Sequence, residues 1–189
     1  GTEYSYIDLF VYDFPAFAMK VRALLKEYSQ FSFYISDFIR NGHILQLTEA
    51  DSDVIPYTKE NAEAFFKQIE DWNDNDRYTK CIRALETIPA DEMDYESTML
   101  LVRAYENYAI LGDNNEEPEI EECDRALNKA LELLESVRET GENQARWNMR
   151  MAYAYQYLTG PKEKAVAYAE KWAELDPEDS SAKEVIEEC

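Results

Sequence analysis

The chain has 189 residues, of which 40 are acidic and 19 basic, for a formal net charge of −21. A field of that sign repels phosphate backbones and anionic headgroups, which argues against nucleic-acid binding and against docking on an acidic membrane. Hydrophobic residues make up 46% of the chain, enough for a packed core, and five glycines and six prolines are too few for a turn-rich all-β protein.

Three cysteines, Cys81, Cys123 and Cys189, show no CxxC or metal-ligand spacing. An odd number at wide intervals fits a reducing compartment rather than a disulfide framework, so a cytoplasmic location is expected. Cys81 and Cys123 fall in helical patterns and read as small core residues, and Cys189 as an exposed thiol. No apolar run approaches the roughly 20 residues needed to span a bilayer. The start, Gly1-Thr2-Glu3, lacks the basic region of a signal peptide.

Residues 1–57 form an aromatic-rich N-terminal part. Phe17, Val21, Leu24, Leu25 and Tyr28 have helical periodicity, as do Phe31, Tyr34, Ile35, Phe38 and Ile39. Helices are expected over about 15–29 and 31–40, with Asn41-Gly42 stopping the second. Tyr6–Asp13 and His43–Leu47 have the character of short strands, so a small N-terminal α/β element stays open as an alternative.

From residue 58 to 189 the pattern is helix, tight turn, helix. Thr58 is a candidate N-cap for a helix marked by Phe65, Phe66, Ile69 and Trp72. Asn73–Asp76 supplies a turn, and a partner helix through Tyr78, Cys81, Ile82, Leu85 and Ile88 stops at Pro89. A second pair runs over about 95–111 and 120–140, separated by an acidic loop at 112–118 and halted by Gly141. In the third, Trp147, Met151, Ala154, Tyr155 and Leu158 precede a Gly160-Pro161 break. Ala165, Ala169, Trp172 and Ala173 follow, Asp176-Pro177 ends the helix, and a short helix over about 178–188 closes the chain. Alanines on the facing sides let helix axes approach closely.

The segment Ala154-Tyr155 … Ala165 … Ala169 … Leu175-Asp176-Pro177 resembles a tetratricopeptide (TPR) repeat. Its end, Lys171-Trp172-Ala173-Glu174-Leu175-Asp176-Pro177, is similar to the family's KALELDP repeat end, with Trp172 at a usual alanine position. The family unit is about 34 residues of helix–turn–helix. Trp72 to Tyr105 spans 33 positions, whereas Tyr105 to Tyr155 spans 50, the acidic loop and the long following helix absorbing the excess. The resemblance covers 58–189 and extends to repeat segments of bacterial proteins. It implies an all-α fold, a TPR-like antiparallel helix-hairpin array, and a non-catalytic module that binds a peptide or protein segment in a concave groove.

By the same resemblance the groove is lined by the first helix of each unit: Met99, Arg103, Glu106 and Asn107 in the middle one, and Arg146, Met149, Tyr153, Gln156 and Tyr157 in the last. Aromatic and long polar side chains suit a protein or peptide partner, and the overall charge favours a basic one. Arg103 and Arg146 could grip a carboxylate, or be neutralised by glutamates on their own helices. The alternative is an acidic regulatory or antitoxin-like protein that covers a basic partner with its outer surface.

Little points to catalysis. His43 is the sole histidine and reads as a loop residue, and there is no GxSxG, P-loop or GxGxxG. The run Asp71–Asp76 lacks the glycine and the later glutamate of a calcium loop, having Asp76 and Ile82 at those positions. Glu116, Glu117, Glu119, Glu121 and Glu122 suit a helix start. Neither a metal nor a cofactor is expected.

Overall fold

A computed structural model of the protein describes residues 56–113 and 118–189, the helical residues 17, 20, 21, 24 and 25, and the backbone of 33–36 and 44–48. The chain divides into two units, Gly1–Val54 and Ile55–Cys189.

In the first unit, Phe17, Lys20, Val21, Leu24 and Leu25 are helical, within the span expected to be a helix. The helix expected over 31–40 is not formed. Strand β1 (Phe33–Ser36) pairs antiparallel with β2 (Ile44–Thr48), Tyr34 opposite Gln46 and Ser36 opposite Ile44. Phe33, Tyr34 and Ile35 are aromatic or β-branched and suit a pleated strand, and so short an apolar run carries no decisive period. The strand expected at 43–47 corresponds to β2. The strand expected over Tyr6–Asp13, the Asn41-Gly42 stop and His43 lie outside the described residues.

The second unit is all-α. Thr58 opens it as expected: its Oγ1 accepts from the Asn61 backbone N–H (3.3 Å), and Asn61 Oδ1 accepts from that of Thr58 (2.8 Å). A 3-10 turn leads into α1 (Ala62–Asp74), and α2 (Tyr78–Leu85) follows. Asp76 takes the left-handed conformation (φ 55°) in the turn between them. Ile88 lies past the end of α2 yet stays buried.

Helix α3 (Tyr95–Leu111) starts at Asp94, whose carboxylate accepts from the Ser97 backbone (2.8 Å); that bond holds the Asp94 carboxyl below its ordinary range. The helix expected over 120–140 is shorter. α4 (Ile120–Ser136) breaks at Val137, and a single turn, α5 (Arg138–Gly141), follows. At the break the Leu134 carbonyl accepts both from the Val137 backbone N–H (3.2 Å) and from the Trp147 indole N–H (2.9 Å). α6 (Ala145–Tyr157), α7 (Glu163–Leu175) and α8 (Ser181–Glu188) complete the unit.

Consecutive helices pack on one another: α1 on α2, α3 on α4, and α6 on α7. The contacts of α2 with α3 and of α4 with α6 join the pairs, and α8 closes against α7 and α6. Met99, Val102, Ala130, Leu131, Leu134, Trp147, Met151 and Ala154 form one core cluster. Ala152, Ala169, Trp172, Ala182 and Val185 form another. Buried alanines sit at both seams, where large side chains would hold the helices apart.

The turns are tied across pairs. α2 has no cap from its own flanking residue Arg77. Instead Asp113, beyond the end of α3, accepts from the Thr79 backbone N–H (3.1 Å) and hydroxyl (2.6 Å). Asp124 of α4 likewise accepts from the Thr159 N–H after α6 (2.9 Å). Asp113→Ala therefore exposes the start of α2 and is expected to cost about 1 kcal/mol in urea unfolding.

Gly141 packs under Trp147 so closely that an added Cβ would lie 2.3 Å from its Cδ1. Gly141→Ala is expected to destabilise by about 1–3 kcal/mol and to change the near-UV circular dichroism of Trp147. Unaltered melting and spectrum would contradict this packing.

Candidate functional site

Helical spacing gathers the candidate residues onto one stripe of each helix: Met99, Arg103, Glu106 and Asn107 on α3, and Arg146, Met149, Tyr153, Gln156 and Tyr157 on α6. The two helices pack together, but their candidates have unlike surroundings.

Two of them do not line an open surface. Met99 is wholly buried in the cluster with Leu131, Leu134, Trp147 and Met151, so it is a core residue. Glu106 is also wholly buried, and its Oε2 accepts from Arg150 Nη1 (2.9 Å). Both carry the helical period of a lining residue, but tertiary packing turns that period inward.

The two arginines part company as well. Arg146 Nη1 donates to Glu96 Oε2 (2.7 Å), so it is neutralised, by a glutamate on the neighbouring helix rather than on its own. Arg103 is half-buried and makes no hydrogen bond or ion pair among the described residues. Its charge bears on Tyr78 and Cys81 of α2. The structure does not make a clamp of this pair.

The remaining candidates are half-buried or exposed. Asn107 Nδ2 donates to Asn73 Oδ1 at the end of α1 (3.2 Å), and Gln156 Nε2 donates to Glu188 Oε2 on α8 (2.9 Å). Tyr153 meets Trp172 edge-on, centroids 5.6 Å apart, and Met149 packs beside it on the second core cluster. Tyr157 is 49% exposed. Polar pairs thus link α1 to α3, α3 to α6, and α6 to α8.

Arg150 is the member that the sequence reading missed. It shares the α6 stripe with Arg146, Tyr153 and Tyr157 at helical spacing, and that spacing was the available signal. Burial of Glu106, only partly offset by Arg150, pushes its carboxyl up to about 8. Burial, assisted by the hydrogen bond to Asp76, raises Tyr78 to about 12, against the opposing charge of Arg103. Burial likewise raises the Cys81 thiol to about 12, so Cys81 is an unreactive core residue. Cys123 is half-buried and Cys189 exposed.

The stripe offers guanidinium, amide and aromatic groups suited to holding a polypeptide. Among the described residues no group of three or more His, Cys, Asp or Glu side chains could hold a metal. An open depression of about 440 Å³ along α1 is lined by Asn61, Ala64, Phe65, Lys67, Gln68 and Asp71, and Glu106 is not part of it. No described helix is long and apolar enough to cross a membrane.

No family model, curated protein or solved structure matches this chain.

The two interhelical ion pairs should differ in worth, since Arg146 and Glu96 are both substantially exposed whereas Glu106 is wholly buried. Arg146→Ala is expected to cost under about 1 kcal/mol. Arg150→Met removes the charge that favours the Glu106 carboxylate and is expected to cost more than Arg146→Ala, about 3 kcal/mol, increasingly so as pH rises through about 8, where Glu106 ionises in the wild type. Urea unfolding of the two variants checks this, and equal losses would contradict the assigned burial.

Proposed function

We propose that the second unit is a non-catalytic, TPR-like interaction module that binds a peptide or protein segment along the α3 and α6 stripes. The observation that carries this reading is Arg103. In a chain with 40 acids and 19 bases, a half-buried guanidinium would be expected to find a carboxylate, yet Arg103 makes no hydrogen bond or ion pair among the described residues. A cation left in that condition suits a partner's carboxylate or carbonyl groups. Asn107, one turn further along, adds an amide, and Tyr157 adds an aromatic anchor.

Repeat spacing supports the TPR-like part of the proposal. Asn73 with Asn107 and Thr79 with Asp113 are 34 residues apart, and Asp124 with Thr159 are 35. These bonds join neighbouring pairs near their helix ends, at separations close to the repeat length of that family. The net charge favours a segment that is basic overall, with one acidic or terminal carboxylate directed to Arg103. Three free cysteines suit a cytoplasmic site of action.

A second reading, an acidic outer surface that covers a basic target, is favoured by Ile120. It is 71% exposed at the start of α4, between the exposed Glu119 and Glu121.

Selection of peptides from a random displayed library on the wild-type protein tests both. For groove binding, Arg103→Glu and Tyr157→Ala should each weaken the selected peptides roughly tenfold or more. If Ile120→Ser together with raised salt abolishes binding while the stripe variants leave it intact, the outer surface is the site.

A further inference from the structure

We propose that Glu106 and Arg150 form a proton-operated latch on the seam between α3 and α6, closed while Glu106 holds a proton and loosened when it ionises. This goes beyond the binding reading and does not depend on it, because the latch is a property of the folded module without a partner.

The geometry is that of a frustrated pair. The two side chains come from positions 44 residues apart and meet where α3 packs on α6. Glu106 is 0% exposed and the Arg150 side chain 15%. Glu106 Oε2 is bonded to Arg150, but Glu106 Oε1 and Arg150 Nε, both buried, have no hydrogen-bond partner among the described residues. An ionised carboxylate can accept about four hydrogen bonds, and this one accepts a single one among the described residues. Its charge is therefore poorly replaced for the water it loses, and one ion pair seldom offsets that cost. The neutral acid needs less solvation.

The neighbouring groups do not relieve it. From α6 the facing charge is Arg150, with Tyr153 one turn on, and Asp179 and Glu184, before and in α8, bear on Tyr153. On α3 the nearest charge is Arg103, whose field is felt by Tyr78 and Cys81 of α2. α4 contributes apolar Ala130, Leu131 and Leu134 to the core shared with α3 and α6. The Glu106 carboxyl accordingly sits well above its ordinary value of 4.5, at about 8, with burial the larger cause and Arg150 opposing.

The sign follows from proton uptake. Because the folded value lies above the unfolded one, folding binds a proton between them. The stabilisation from the protonated group is complete below about 4.5 and is lost as pH rises through about 8. At neutral pH the group is therefore mostly protonated, and the seam loosens as the solution becomes mildly alkaline.

Glu106→Gln keeps the side-chain shape and an oxygen acceptor for Arg150 but has no proton to lose. Hydrogen exchange of the α3 and α6 amides, corrected for intrinsic rate, should accelerate roughly tenfold more in the wild type than in Glu106→Gln between about pH 6 and about pH 9. In the wild type itself, the ¹³C carboxyl resonance of Glu106 should titrate well above the ordinary glutamate range, which keeps the test available if the variant folds poorly. Identical pH dependence in the two proteins, or a Glu106 carboxyl titrating at or below its ordinary value, would overturn the latch. Neither outcome bears on peptide selection by the stripe.

Discussion

The second unit is organised around the side chain of Trp147. Its indole N–H takes the Leu134 carbonyl, its ring lies over Gly141, Tyr168 of α7 meets it edge-on at 5.7 Å, and the Arg138 guanidinium stands 6.0 Å from its centre. One residue therefore bonds the last turn of α4, packs on Gly141 of α5, and joins α6 to α7. Burying a tryptophan removes roughly 200 Å² from water, on the order of 5 kcal/mol of transfer free energy before ordering costs. The alanines around it matter because they let the helices close on that ring.

Apolar burial provides the adhesion, and polar contacts specify the register of successive helices. Asn73–Asn107, Glu96–Arg146, Glu106–Arg150 and Gln156–Glu188 each bridge two helices, and Asp113 and Asp124 tie turn to turn. Most are partly exposed and contribute little net stability, but each fits only one alignment of its helices. Glu106–Arg150 differs because it is buried: it specifies the same alignment at the cost of an under-solvated charge.

The proposed binding role and the proposed latch use the same two helices for different reasons. Arg103, Asn107 and Tyr157 have chemistry to offer a partner, whereas Glu106 and Arg150 are occupied with each other inside the seam.

Much of the second unit was legible in the amino-acid sequence because its signals are local. Thr58 capping, the Gly160-Pro161 break, the Asp176-Pro177 end and the apolar period of each helix depend on residues within one or two turns of each other. The tertiary structure decided what local signals cannot encode. Phe33–Ser36 became a strand because Ile44–Thr48 offered a hydrogen-bonding partner, and the last turn of α4 shares its Leu134 carbonyl with a tryptophan 13 residues away. Met99 and Glu106 had the spacing of groove residues but were turned into the core, and Arg146 found Glu96 50 residues distant. Periodicity shows that residues share a face of a helix. What covers that face, and whether a charge on it stays available, depends on contacts between helices far apart in the chain.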